Sequence, residues 1–457
     1  MRMMPGQRIV ELSVTPIPVH YRKELGKNAY GENIGRERTE WLVRARTEYG
    51  QEGLTIANRF MRQFNGFDNS AGTVRGLVAL LREMFLDKRV DEYLETSDGR
   101  VVGVRDAYKE AFQTHGWMSI LAFDLLGQDL GISCVDLLGG QARDRVPAYD
   151  TTLYFQDLLN PEQGAAQVSL EAAESRDEGY NEFKIKVGRP GRWMAPQSGM
   201  ERDVEVVLAV REAVGPDAKI MVDANFGYDG RLDLLEDFIR ETLTANIFWL
   251  EEMVTADVGD YRVLRRMRDR LGSDALLVCG EVDRDPPSQV FRDLVDQGLI
   301  DGYQPDSVSA GFSRWQSLEQ WLKPTGVRSI PHNFGNGNFG TRATLVFGAA
   351  SPTFASLEDE RHHTNVYAED DVSFADSQYS VPSGPGLGLA IDRDVYQKRY
   401  ASHEVRVTQH PQILSPLTRA CRETGRLFVF RQCWFAITYE MSVRVYHLMT
   451  LASEVFM

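Results

Sequence analysis

The stretch Ile220, Met221, Val222, Asp223, Ala224, Asn225 constrains this chain most. An apolar, β-favouring run ends there in a carboxylate and a carboxamide. A buried strand that delivers a charge to its C-terminal end needs something bound at that end. Similar strands recur downstream. One runs from Phe248 to Glu251 and the next from Leu276 to Glu281. The three acids are roughly 30 residues apart, the length of one strand and its return helix. Carboxylates on the same ends of three successive parallel strands converge on one point. All-oxygen ligands make that point a site for a hard divalent cation, with Mg²⁺ the natural occupant.

The same grammar extends in both directions. Strands are expected at 146–152, 183–187, 302–306, 327–332 and 353–358, with helices between them, giving eight in all. Eight parallel strands over so short a span predict a closed β/α barrel, whose active site lies at the C-terminal strand ends. Those ends carry Lys186, Asp223, Glu251, Glu281, Asp306, His332 and Glu358. On the second strand Lys184 and Lys186 share one face and Phe183, Ile185 and Val187 the other. The apolar set then packs under the helices, and the two ammonium groups point inward, where carboxylates or a bound anion must offset them.

Before the barrel, residues 8–18 and 39–48 alternate apolar and polar as antiparallel strands do. Residues 21–38 between them read as a long charged loop, placed to close over the barrel mouth. Helical periodicity covers 73–85 and 104–130, and Gly139 and Gly140 close the region. Residues 1–145 are therefore expected to form an α+β capping domain and 146–359 the barrel. Residues 360–405 form a polar segment that completes the cap, with a short helix at 392–402, and 406–457 an additional tail. His362 and His363 are expected on the surface.

At 457 residues, 43% hydrophobic and 26% charged, the chain suits a soluble protein with a large core. A net charge of −15 argues against a nucleic-acid surface. No apolar run reaches the ~18 residues of a membrane span, and no leader-like stretch opens the chain, so the reading is cytoplasmic. Cys134, Cys279, Cys421 and Cys433 lack metal-site spacing and read as reduced thiols.

Taken together, Lys184-x-Lys186, Asp223-x-Asn225, Leu250-Glu251-Glu252, Gly280-Glu281, Gln304-Pro305-Asp306, Pro331-His332 and Leu357-Glu358 resemble the enolase superfamily, and its mandelate racemase subgroup most. No lysine lies in residues 302–320, where the muconate-cycloisomerase-like branch carries one. The resemblance implies that Asp223, Glu251 and Glu281 bind Mg²⁺. It implies that Lys186 and an Asp306-oriented His332 are acid/base groups on opposite faces of the substrate. Lys184 would neutralise the carboxylate or enolate, Glu358 would donate a hydrogen bond to it, and Asn225 would touch substrate or metal shell. The use of a Lys or His base with Mg²⁺ is the standing example of such sites. Thr152 and Tyr154 are expected beside the substrate. The implied chemistry is abstraction of the α-proton of a small carboxylate. Dehydration of a sugar acid to a 2-keto-3-deoxy acid is favoured, with racemisation or epimerisation of a 2-hydroxy acid as the alternative and a non-catalytic barrel as a rival of another class. A homo-oligomer is expected.

Overall fold

The computed structural model describes residues 6–57, 71–362 and 366–409. Alternating sequence in the N-terminal part produces a meander of β1 (Ile9–Leu25), β2 (Gly35–Thr47) and β3 (Glu52–Ala57). Antiparallel pairs such as Val14 with Val43 and Val43 with Thr55 fix its register. The helices Ala71–Phe85, Asp106–Thr114 and Trp117–Leu130 follow, with a small hairpin of β4 (Leu94–Ser97) and β5 (Arg100–Val104) between the first two.

Two expectations change here. Half of residues 21–38 is strand: β1 continues to Leu25 and β2 begins at Gly35, leaving 26–34 as the loop. The periodic stretch 104–130 is two helices, broken around Gly116. The break has a packing cause. A Cβ on Gly116 would lie 2.1 Å from the Ala310 carbonyl oxygen, and one on Gly311 would lie 1.9 Å from that of Gly116. Cap and barrel backbones meet there at a distance only glycine allows.

The barrel strands are β6 (Arg145–Leu153), β7 (Glu182–Lys186), β8 (Lys219–Asp223), β9 (Ile247–Glu251), β10 (Leu276–Cys279), β11 (Gly302–Tyr303), β12 (Arg328–Ser329) and β13 (Leu357–Asp359). They pair in parallel in sequence order, and β13 pairs back onto β6. Ala355 N–H donates to Ser329 O at 3.0 Å, joining the last two strands at their start. Alternation sorts the side chains. Tyr149, Met221, Trp249, Val278 and Ile330 fill the barrel interior. Phe183, Ile185, Ile220, Val222 and Leu250 face out under the helices. Each such buried side chain contributes roughly 1.5–3 kcal/mol relative to exposure.

Past the barrel, β14 (Phe374–Ala375) and β15 (Gln378–Ser380) form a hairpin whose second strand pairs antiparallel with β6. Asp392 caps the helix Arg393–Arg399 by accepting from Asp394 N and Val395 N. The chain then returns to the cap as β16 (Val405–Thr408), the edge partner of β1. The start of the expected tail is thus a cap strand, and residues 410–457, with Cys421 and Cys433, lie outside the described residues. Cys134 and Cys279 are free and buried. Among the described residues no helix is long and apolar enough to cross a membrane.

His362 departs from expectation. Its side chain is fully enclosed, with its ring 4.3 Å from that of Tyr21 and Nε2 3.6 Å from Glu360 Oε2. A bridge between Tyr21 and His362 draws the chain leaving β13 under the end of β1, and the imidazole goes with it. His363 lies outside the described residues.

Candidate active site

Parallel register brings the site together. Lys186 is opposite Asp223, and Asp223 opposite Glu251, so three strand ends sit at one level. Oxygens of Asp223, Glu251 and Glu281 lie within 4.8 Å of one another. The donors are all carboxylate, which fits a hard divalent cation. Glu252, wholly buried in the strand end beside Glu251, has both carboxylate oxygens without a hydrogen bond. Burial, with the neighbouring carboxylates of Glu281, Asp223 and Glu251, pushes its pKa well above the usual carboxylate range, so it resists adding negative charge to the cluster.

Two lysines offset part of this charge. Lys184 Nζ is 2.8 Å from Glu251 Oε1, 2.7 Å from Glu358 Oε1 and 3.7 Å from Asp223 Oδ2. Burial works against the ammonium, but these carboxylates outweigh it and hold the pKa well above the usual lysine value. Lys186 Nζ bonds Asp223 Oδ2 and, at 3.0 Å, Asn225 Oδ1. Here too burial lowers the pKa and Asp223 more than restores it. Asn225 donates through Nδ2 to Glu281 Oε1 at 3.3 Å, so it links the base-bearing strand to the third carboxylate.

His332 approaches from the other side. Its Nε2 is 3.2 Å from Glu281 Oε2 and 3.9 Å from Glu358 Oε2, and its Nδ1 is 3.3 Å from Asp306 Oδ2. Burial would lower its pKa; the facing carboxylates of Glu281, Glu358 and Asp306 push it up to about 9. The imidazole is therefore held as an acid at neutral pH in this arrangement.

Glu358 is placed in the site but differs in character from the expected hydrogen-bond donor. Oε1 accepts from Thr151 Oγ1 at 2.7 Å and from Lys184, and Oε2 from Asn333 N at 2.7 Å and Phe334 N at 3.0 Å. Burial opposes ionisation, yet Lys184 and His332 hold the group well below the usual carboxylate range. With four donors it is an acceptor that braces Lys184. Its neighbours serve elsewhere: Asp359 accepts from Tyr180 at 2.7 Å, and Glu360 accepts from Asn336 N and Gly337 N.

Tyr154 faces the site, its ring centre 5.3 Å from Lys186 Nζ. Thr152 does not. Its hydroxyl and N–H both bond Asp150 Oδ1, and strand alternation makes Thr151 the inward residue. Tyr149, two positions earlier and inside the barrel, carried that signal in the sequence. The cap loop 26–34 is anchored on the barrel rim. Phe155 N–H donates to Lys27 O at 3.0 Å, Trp193 Nε1 to Asn28 O at 2.7 Å and Arg192 Nη1 to Tyr30 O at 2.6 Å.

Fold and site define a capped β/α barrel with an acidic, lysine-flanked centre at the C-terminal ends of its strands. Residues 167–395 match the family described as enolase C-terminal domain-like. The D-galactarolactone cycloisomerase of Agrobacterium fabrum is 31% identical over 296 residues, spanning 61% of this chain and 71% of that protein. The crystal structure of a Geobacillus sp. galacturonate dehydratase, complexed with D-galacturonate and 5-keto-4-deoxy-D-galacturonate, aligns at a TM-score of 0.72 with 26% identity, over 87% of this chain and 97% of the other. A Geobacillus sp. mandelate racemase/muconate lactonizing protein complexed with magnesium/tartrate aligns at 0.72 with 26% identity, over 86% and 95%. This chain belongs to the enolase superfamily, in the mandelate racemase group, and like its relatives it is an enzyme.

Proposed function

We propose that this enzyme dehydrates a sugar acid to a 2-keto-3-deoxy acid, using Asp223, Glu251 and Glu281 to hold one Mg²⁺. The observation that carries the reading is the two-sided centre: Lys186 reaches the carboxylate cluster through Asp223, and His332 reaches it through Glu281, 3.2 Å away. The galacturonate dehydratase and magnesium-bound neighbours support both the reaction type and the ion.

An α-proton beside a carboxylate is a very weak acid, so negative charge must be stabilised as it forms. A bound Mg²⁺ would supply positive charge to the substrate carboxylate and draw off the charge of Asp223 that keeps Lys186 protonated. Lys184, fixed by Glu251 and Glu358, adds a second positive charge at the same place. Lys186 Nζ takes the α-proton as the Cα–H bond breaks. His332 Nε2 gives its proton to the β-hydroxyl, whose C–O bond breaks to release water. The remaining enol ketonises by taking a proton at the β-carbon. Asp306 keeps His332 Nδ1 engaged, so Nε2 is the nitrogen that faces the reaction.

The expected substrate is a small polyhydroxylated carboxylate under the cap loop. A panel of aldonates, aldarates and uronates with Mg²⁺, assayed for keto-acid product, tests the proposal. A keto product from at least one acid supports it, and solvent-deuterium exchange at the α-carbon without elimination would replace it with a racemase or epimerase.

A further inference from the structure

Asn336 immediately precedes the helix Gly337–Ala350, in the capping position where an asparagine normally turns its side-chain oxygen onto the helix N–H groups. It does not do so. No side-chain capping bond is made, and Oδ1 has no hydrogen-bond partner among the described residues. The side chain is instead fully buried and turned toward Asp306, where Nδ2 donates to Oδ2 at 2.9 Å. That oxygen is the one that faces His332 Nδ1 at 3.3 Å.

We infer that Asn336 is a positioning residue for the acid/base histidine, fixing the Asp306 carboxylate that orients His332; the inference rests on the reaction proposed above. Asp306 has two oxygens and two anchors. Oδ1 accepts from Ser309 N at 2.7 Å, as the cap of the helix Ser307–Leu322, and Oδ2 accepts from Asn336. Both together set the plane of the carboxylate. With Asn336 removed, a single backbone bond remains and the carboxylate can turn about its own axis, so the Nδ1–H of His332 loses a fixed acceptor. An amide suits the place because it donates to a carboxylate without adding a charge beside it. The loop does not depend on this side chain for its course. Asn336 N and Gly337 N both donate to Glu360 Oε1, at 2.9 and 3.1 Å, and any substitution at 336 other than proline keeps those bonds.

The test uses Asn336→Ala and Asn336→Ser in the full chain. Histidine-selective ¹⁵N NMR on a protein with eight histidines is sparse enough to identify His332 by its loss in His332→Asn. Wild type should show His332 as one species protonated at Nδ1. The alanine variant should lose that Nδ1–H signal, and the serine variant, which keeps a donor, should recover part of it. In D₂O, α-proton exchange is then followed on pairs of C2-epimeric aldonates and aldarates. Exchange on the histidine face should fall at least about tenfold in Asn336→Ala, since a displacement of about 1 Å can cost a factor of about 100. Exchange on the lysine face should stay within about twofold. Unchanged His332 signals, or equal losses on both faces, would overturn the role of Asn336. A wild type that exchanges and converts no acid in the panel would instead sink the proposed reaction, and the NMR result would still decide for Asn336.

Discussion

Asp306 and His332 are joined twice. Their main chains form a parallel bridge, with Ser307 N–H donating to His332 O at 2.8 Å, and their side chains meet at 3.3 Å. Two strand ends therefore present one acid/base unit, and the carboxylate needs no contact with substrate to act. Asp306→Asn should keep the helix cap, whose acceptor an asparagine side chain retains, while presenting an NH₂ group to Nδ1. The imidazolium then loses the acceptor for its Nδ1–H, and the ring is held neutral with its proton on Nε2. A loss of kcat by a factor of about 10² to 10⁴ with a KM within a few-fold is the expected result. Steady-state kinetics on the best acid of the panel checks it.

Glu251 is wedged between Lys184, at 2.8 Å, and Trp249 Nε1, at 3.0 Å, and faces Asp223 and Glu281. Glu251→Gln keeps the shape and removes one negative charge. Titration with Mn²⁺ followed by electron paramagnetic resonance should show affinity lowered by at least about tenfold, with the far-UV spectrum unchanged. Wild-type affinity in this variant would mean the cation sits elsewhere.

Most of the site was legible because strand periodicity and strand ends dictate it. Lys184 and Lys186 point inward since residues two apart share a face, and the acids meet because each closes a parallel strand at the same level. What escaped was set by tertiary path. Thr152 turns to Asp150 because of the register of β6, which nothing local in the sequence fixes. His362 is enclosed because Tyr21 crosses above it, a contact no local pattern announces. Asn336 stood in a glycine-rich segment that reads only as a turn, and its partner Asp306 is 30 residues away. The helix break at Gly116 depends on Gly311 in another part of the chain.

The cap and barrel meet closely at Gly337. Its φ is +61°, and a Cβ there would lie 1.4 Å from Glu40 Oε1, a buried carboxyl of β2. Gly337→Ala must therefore strain the backbone and displace Glu40. A loss of about 2 kcal/mol or more is expected by thermal or urea unfolding. Gly76→Ala, within the helix Ala71–Phe85 and with nothing within 4 Å of its Cβ, should instead be stabilised by about 0.5–1 kcal/mol. Similar effects at both positions would contradict the packing described.

Asp124, fully buried in the helix Trp117–Leu130, accepts from Leu54 N at 2.7 Å and Leu387 N at 2.8 Å. Burial still pushes its pKa up to about 7. Between the unfolded value, about 4, and 7 the folded state holds a proton that the unfolded state has lost. This group's contribution to stability therefore falls as pH rises across that window and is constant above it. The change is on the order of 4 kcal/mol at most. Asp124→Asn forfeits one backbone acceptor at every pH but escapes the decline. The Tm deficit of the variant against wild type should shrink from pH 5 to pH 8, and a deficit that grows would contradict the assignment.

The central claim is elimination at a two-sided centre, and product analysis in D₂O tests it most directly. Wild type with Mg²⁺ and an active acid should yield a 2-keto-3-deoxy acid carrying solvent deuterium at the β-carbon. His332→Asn should lose that product while Lys186 still exchanges the α-proton of a substrate of suitable configuration. Recovery of only the C2 epimer, deuterated at the α-carbon and with no keto acid, would contradict dehydration and leave a racemase or epimerase.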